Sequence, residues 1–368
     1  MISVALHPTE MPMLTFFRLL SLVEGLSLVT LLLIALPVRH QFGIDFVWPV
    51  GMAHGLLWMT FVVSSLVVSH RQGWSVLFWL LLVLGGTWAG IALWVQFPQA
   101  RWLPALFACA LAAVIWARLA TPYGWPALGL LTLAVTAWYL SLSPRADRDW
   151  APDVAHLATG RIDGNIVTLH NLRAFRWQDR DHATESWETR RLDLDHLATA
   201  DMITSVWSNP DIAHLLVSFG FTDGQRVVFS VEIRREKGEK FSSIGGFFRQ
   251  FELALIAADE EDIVKLRTHH RAEDVRLYPL RLTPDQLRVV FLEYVKLGND
   301  LAAKPRWYNT VTANCTTVVW HLTRALNPDL GLDPSLLLSG RLPAWLYRMD
   351  LIALPGTLPE IRAAARIS

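Results

Sequence analysis

The sequence predicts a protein of two parts: an N-terminal α-helical transmembrane bundle of about five spans, followed by a C-terminal α+β domain. Charge distribution and apolar run length predict this division. Only 18% of the 368 residues are charged, and the stretch from Met13 to Leu142 contains very few of them: Arg18, Glu24, Arg39, Asp45, Arg71, Arg101 and Arg118. The chain after Leu142 is ordinarily charged and long enough to bury its own core. We therefore predict a transmembrane bundle over 1–142, a linker over 143–150 and a globular domain over 151–368.

Five apolar stretches predict the spans of the bundle, because each comes close to the roughly 20 residues that cross a bilayer. They cover 13–38, 47–69, 74–95, 102–120 and 125–142. Tryptophans near the ends of these stretches are typical of an aromatic belt. An odd number of spans places the two termini on opposite faces of the membrane. With a cytoplasmic N-terminus, the second domain would lie outside the inner membrane.

Two ionisable residues fall in the middle of predicted spans, Glu24 in the first and His54 in the second. Desolvation at that depth is costly, so such residues are candidates for a functional site. A structural polar lock between two helices explains the pair equally well.

The second domain begins with alternating runs that predict two β-hairpins. The first has its turn at Asp163-Gly164. The second joins the runs 215–221 and 225–232 through the three-residue loop Thr222-Asp223-Gly224. That loop pairs Phe221 with Gln225 and sets His214 directly across from Glu232. A loop of two or four residues would change the register and turn Glu232 to the other face.

Further strands are predicted at 253–257 and 274–280, followed by a helix that Thr283 caps and that runs to about Ala302. A last apolar helix is predicted from Thr316 to Leu326. Cys315 lies at its start, where the helix dipole and free N–H groups favour the thiolate and lower the cysteine pKa. The alternative is an inert, buried cysteine. A glutamate beside an imidazole raises its basicity, so Cys315, His214 and Glu232 are the candidates for nucleophile, base and orienting group.

Several classes of function are disfavoured. The formal net charge is zero and basic residues form no stripe interleaved with aromatics, so nucleic acid is not an expected partner. The sequence has no ligand spacing typical of zinc and no phosphate-binding glycine loop, so we expect neither a metal nor a cofactor. His269 and His270 are adjacent and would face opposite sides of a strand. A disulfide between Cys109 and Cys315 is not expected, because they fall in different predicted domains.

Five blocks of the second domain closely resemble the Lnb-type periplasmic domain family of bacteria. They are Asp211-Ile212-Ala213-His214, 218–221, 232–239, 245–250 and Trp307-Tyr308-Asn309 through Asn314-Cys315-Thr316-Thr317. The resemblance implies a circularly permuted papain-like fold, similar to the lecithin:retinol acyltransferase group, in which a strand histidine precedes an Asn-Cys helix. That group has a second histidine where Glu232 stands here. In the membrane half, Arg18, Glu24-Gly25, Pro49, Gly51 and His54-Gly55 resemble a small bacterial integral-membrane family of unknown function, over roughly the first 80 residues.

One activity that the resemblance implies is N-acylation of bacterial lipoproteins by the periplasmic domain. The five predicted spans, which differ from the membrane attachment of the best-studied members, would make this a multi-pass inner-membrane enzyme. Its partners would be a phospholipid acyl donor, a bacterial lipoprotein acceptor and the membrane itself. Candidate substrate-binding residues are Asn314, Arg234, Arg235, Lys237 and Tyr308, with cations for lipid phosphate and Phe247-Phe248 for the interface. Two rival interpretations remain: a thiol hydrolase (a peptidoglycan amidase or endopeptidase, or a lipid deacylase), or a non-catalytic membrane module. A sulfur within hydrogen-bond reach of His214 would count against the last.

Overall fold

The computed structural model describes residues 76–368 except 328, 330, 332 and 337, together with a few isolated positions before 76. Internal contacts divide the chain into two units, 1–141 and 142–368. The first two predicted spans, and His54, fall outside the described residues, apart from isolated helical positions that include Glu24.

The first unit contributes three described helices. Helix α1 covers Val76–Gln96 and contains a π-helical turn at Leu81–Gly85, α2 covers Leu103–Ala120, and α3 covers Gly124–Ser141. By length and composition, α1 and α2 are the two described helices that could cross a membrane, with mean hydropathies of 2.1 and 1.9. Helix α3 does not reach that standard, although it coincides with the fifth predicted span. The described helices therefore support two of the five predicted spans, the third and the fourth.

The second unit is built on a mixed β-sheet. Its strands are β1 Thr159–Asp163, β2 Ile166–Arg173, β5 Trp187–Asp193, β6 Leu197–Val206, β7 His214–Phe221, β8 Arg226–Arg234, β9 Glu252–Ala258 and β10 Asp274–Pro279. The order is β1-β2-β9-β8-β7-β6-β10, and β5 lies off this path and pairs with β2 from Ile166 to Arg173. The β2–β9 pair is parallel and the others are antiparallel. Strands β3 Arg176–Trp177 and β4 Ala183–Thr184 form a separate small ribbon.

Six helices of this unit are described: α4 Ser243–Phe247, α5 Glu260–Lys265, α6 Pro284–Ala303, α7 Cys315–Thr323, α8 Leu342–Arg348 and α9 Leu358–Ala364. Helix α6 begins with the predicted cap, since Thr283 and Gln286 form a capping box. Its buried face packs on the sheet, where Tyr294 stacks on Phe229 with ring centroids 4.8 Å apart. The sequence prediction of an α+β domain is therefore confirmed.

Local details differ from the prediction at three points. The first hairpin turns at Gly164-Asn165, because Asp163 still pairs with Ile166 and the left-handed residue is Gly164, at φ +60°. His269 and His270 lie in the π-helical turn Leu266–His270 that continues α5, not in a strand. Helix α7 begins at Cys315 and ends at Thr323, earlier than predicted.

Two apolar cores meet beside α7. The larger core lies between the sheet and α6, and the smaller one joins β6, β7 and β10 to the C-terminal segment through Leu215, Tyr278 and Leu342. Cys315 packs against both cores. The thiol therefore lies where the two cores meet, and close packing on both sides limits its movement.

Candidate active site

Cys315 is the first residue of α7, and its neighbour Asn314 caps the helix. The Asn314 Oδ1 accepts hydrogen bonds from the backbone N–H groups of Thr316 at 3.0 Å and Thr317 at 2.9 Å. The Thr317 hydroxyl in turn accepts from the Asn314 N–H at 2.9 Å, which completes a capping box. Two of the amides that we expected to be free near the sulfur are thus used by the cap. The half-buried thiol still lies at the positive end of the helix dipole.

A tight loop fixes the approach to Cys315. Asn309 and Ala313 exchange two backbone hydrogen bonds of 3.0 Å. The Asn314 side-chain N–H also donates to the Thr310 carbonyl at 2.8 Å. The Asn314 side chain thus bonds both to the loop before Cys315 and to the helix after it. The backbone on both sides of Cys315 therefore fixes the position of the sulfur.

His214 opens β7 and faces β8. The ladder between these strands pairs Leu216 with Ser230 and Gly220 with Arg226. This register confirms the three-residue loop, and the Phe221 N–H donates to the Gln225 carbonyl as expected. The imidazole Nε2 lies 3.1 Å from the Glu232 Oε1. His214 and Glu232 are therefore brought together as the sequence predicts.

The structure also joins His214 to the thiol. Hydrogen bonding to His214 and the charge of the imidazole both lower the Cys315 pKa, and the backbone N–H of Leu215 acts in the same direction. Since Nε2 already faces Glu232, we assign Nδ1 as the nitrogen that is hydrogen-bonded to the sulfur. A thiol in hydrogen-bond contact with an imidazole counts against the inert interpretation.

Two further residues support Glu232, and sequence reasoning missed both. The Ser230 hydroxyl lies 2.8 Å from the His214 Nε2 and donates to the Glu232 Oε1 at 2.7 Å. The Arg267 guanidinium, only 5% exposed, donates to the same oxygen at 3.2 Å. Strand alternation could have found Ser230, which is two residues before Glu232 and so shares its face. The sequence held no signal for Arg267, because it lies in a π-helical turn.

These contacts shift the pKa values of the three titrating groups. Burial opposes charge on His214, but the facing Glu232 outweighs it and raises the imidazole pKa to about 9, while Arg267 acts in the opposite direction. Burial likewise raises the Cys315 pKa, yet the hydrogen bond and charge of His214 lower it overall. Burial would raise the Glu232 pKa too, but His214 and Arg267 hold it well below its usual range. All three shifts act in favour of the charged forms: thiolate, imidazolium and carboxylate.

The remaining candidate residues fall into two groups. Asn314 and Tyr308 lie at the site: Asn314 builds the cap, and Tyr308 is buried, with its pKa raised by burial and then by the charge of Cys315. Arg234 is buried over the Trp150 ring and donates to the carbonyls of Val154 and Ala155, so it holds the fold together and is not placed to bind a phosphate.

The cations Arg235 and Lys237 are paired with carboxylates, Asp153 at 2.8 Å and Asp149 at 2.7 Å. Lys237 remains exposed. Within the described part of the chain, no cluster of histidine, cysteine, aspartate and glutamate could hold a metal ion.

The fold and site together define the class: an α+β domain carrying a cysteine at a helix N-terminus, a strand histidine and a buried glutamate. Residues 183–350 match the family model of the Lnb N-terminal periplasmic domain. Residues 14–101 match the model described as a domain of unknown function (DUF3817). These are the two families that the sequence was expected to resemble, and the second match extends beyond the first 80 residues. No curated protein and no solved structure matches.

The match to a periplasmic domain, together with the apolar helices, indicates a membrane-associated protein whose C-terminal domain is periplasmic.

Proposed function

We propose that the protein is a thiol acyltransferase of the inner membrane that moves an acyl chain from a phospholipid to the α-amino group of a lipoprotein. The observation that carries the proposal is the contact of the Cys315 sulfur with His214, whose other nitrogen faces Glu232 at 3.1 Å. The permuted papain-like arrangement fits the same order, with the histidine strand before the cysteine helix. The proposal also takes the first unit as a multi-pass anchor of about five spans.

In the first half-reaction, the Cys315 thiolate attacks the carbonyl carbon of a phospholipid ester. The Cys315 amide and the α7 dipole stabilise the oxyanion that forms. When the intermediate collapses, the bond to the glycerol oxygen breaks. The His214 imidazolium gives its proton to that oxygen, so a lysophospholipid leaves and a thioester remains on Cys315.

In the second half-reaction, the lipoprotein amine attacks the thioester carbonyl. His214, now neutral, takes the proton that the amine loses as the amide forms. The C–S bond breaks, and the thiolate and imidazolium are restored. Glu232, held by Ser230 and Arg267, keeps the imidazole oriented through both steps.

Product analysis tests this function. The purified full chain is incubated with vesicles containing acyl-labelled phospholipid and a peptide that begins with a diacylglyceryl cysteine. We expect the label to appear on the peptide as an amide, and Cys315→Ser to abolish transfer. Label released only as free fatty acid would show a lipid deacylase instead. Cleavage of peptidoglycan without lipid turnover would show a cell-wall hydrolase. If the protein has neither activity, that result would support a non-catalytic module.

A further inference from the structure

An apolar patch surrounds the entrance loop of the candidate site. Three large apolar side chains of the segment around α4 are exposed: Phe241, Ile244 and Phe247, at 56%, 53% and 47%. Val311, in the loop that leads to Cys315, is 40% exposed. We call these four residues the α4 patch. Exposed apolar groups that cluster in this way mark an interaction surface.

The patch and the loop before Cys315 are physically joined. The Thr310 hydroxyl donates to the Ser243 carbonyl at 2.7 Å. Gly246 approaches the loop so closely that a Cβ there would lie 2.6 Å from the Thr310 hydroxyl and 3.1 Å from the Tyr308 ring. Because the Asn314 side chain also bonds to this loop, the α4 patch is linked through it to the cap of the cysteine helix.

The chain enters the domain at the same place. Leu142 follows directly on the apolar helix α3, and its carbonyl accepts a hydrogen bond from Arg249 at 3.4 Å. Arg249 is two residues from Phe247. The next linker residues are fixed nearby, since the Arg145 N–H donates to the Glu252 Oε1 at 3.0 Å. The first residues of the second unit, from Leu142 to Arg145, therefore lie beside the α4 segment.

The charges around the patch suit an anionic lipid surface. Lys240 is exposed at the start of the segment, and Lys237 is exposed although it pairs with Asp149 at 2.7 Å. The acidic Glu239 turns inward, where its carboxylate accepts from the Glu236 N–H at 2.7 Å and the Gln250 side chain at 3.1 Å. Exposed aromatics next to lysines are typical of segments that lie in the interface of a bilayer.

We propose that the α4 patch is a bilayer-docking surface, which dips into the outer leaflet and holds the entrance of the Cys315 site against the lipid. The proposal deepens the proposed function, because it names the surface through which the acyl donor arrives. Lateral diffusion of phospholipid to the thiol would then need no transfer through water.

Spin-label accessibility in proteoliposomes tests the docking independently of catalysis. The full chain, with Cys109→Ser and Cys315→Ser, is reconstituted in phosphatidylethanolamine and phosphatidylglycerol. A nitroxide is placed on Phe247→Cys or, separately, Ile244→Cys. Ile162→Cys on β1 and Ile367→Cys are matched controls, since these apolar residues are 49% and 44% exposed and lie outside the patch.

We expect the α4 labels to be relaxed mainly by oxygen, which concentrates in the bilayer, and the control labels by an aqueous nickel chelate. Two results would overturn the proposal. One is nickel accessibility at Phe247 and Ile244 equal to that of the controls. The other is protection from both reagents, which would show a protein partner on the patch. Thermal melting of each labelled variant confirms that it is folded.

A functional arm connects the surface to the site. Phe247→Glu should slow thioester formation from bilayer phospholipid at least about fivefold, because insertion of a charge into the interface is unfavourable. It should leave the reaction with a water-soluble, short-chain ester unchanged, whereas equal loss with both donors would contradict a docking role. If the wild type forms no thioester with either donor, the proposed function fails, while the accessibility result still decides the docking.

Discussion

At the scale of single residues, the reactivity of Cys315 depends on charges that it does not itself contact. Glu232 raises the His214 pKa, and Arg267 lowers it. The reactive thiolate–imidazolium pair forms as pH rises through the lowered Cys315 pKa. It is lost when His214 deprotonates near pH 9, so the acyl-transfer rate should have a bell-shaped pH profile whose alkaline limb reports His214.

Opposite shifts of that alkaline limb are expected from two substitutions. Glu232→Gln removes the carboxylate that stabilises the imidazolium, so the limb should move to lower pH by about one unit or more. Arg267→Gln removes a nearby positive charge, so the limb should move to higher pH. The measurement is the pH dependence of thioester formation in the Cys109→Ser background. Shifts in the same direction for both variants would contradict the assigned charges.

Asn314 should serve both stability and reactivity. Asn314→Ala removes the cap of α7 and should lower the free energy of unfolding by about 0.5–2 kcal/mol. Asn314→Asp keeps an accepting oxygen for the Thr316 and Thr317 amides but loses the donor to the Thr310 carbonyl, so it should retain only part of that stability. Its negative charge should nevertheless raise the Cys315 pKa. Thermal melting and the pH dependence of Cys315 alkylation separate the two effects, and an Ala variant as stable as the wild type would contradict a stabilising cap.

At the scale of elements, the packing of α6 on the sheet depends on one glycine. A Cβ at Gly298 would lie 2.1 Å from the Ala158 carbonyl oxygen. This oxygen belongs to the backbone, so it cannot move aside without shifting the chain. Gly298→Ala should therefore destabilise the domain by about 1–3 kcal/mol, despite the better helix propensity of alanine. Gly331→Ala is the matched control, because no atom lies within 4 Å of its Cβ position. Chemical denaturation of both variants measures the difference, and equal stabilities would show that α6 can move away from Ala158.

The elements also show what sequence could predict. The β7–β8 register followed from the loop Thr222-Asp223-Gly224, since turn length sets pairing and pairing places His214 opposite Glu232. Capping chemistry likewise gave the start of α6. Arg267 was not predictable, because a π-helical turn has no sequence signature and its partner is 35 residues away in the chain.

The same limit explains the error at Arg234. Its position in a basic run suggested a solvent-facing cation, but strand alternation places it against Trp150, whose contact with this strand is long-range. Local pattern determines which face a residue takes. It does not determine what chain segment covers that face.

At the scale of the whole molecule, the predicted linker is part of the second unit. Arg145 and Arg148 both reach the buried Glu252, by a backbone hydrogen bond of 3.0 Å and an ion pair of 3.3 Å. These contacts fix the segment to the domain, so it does not behave as a flexible linker. This attachment, the α4 patch and the thiol all lie on neighbouring parts of one domain, which suits an enzyme whose donor comes from a bilayer.

The central claim is that Cys315 carries the acyl chain, and intact-mass spectrometry tests it most directly. The purified protein is incubated with phospholipid in the absence of acceptor, then treated with hydroxylamine. We expect a mass increase of one acyl chain on Cys315 that hydroxylamine removes. The adduct should be absent in Cys315→Ser and kept in Cys109→Ser. Acyl transfer by the wild type with no adduct, or an adduct that survives in Cys315→Ser, would contradict it.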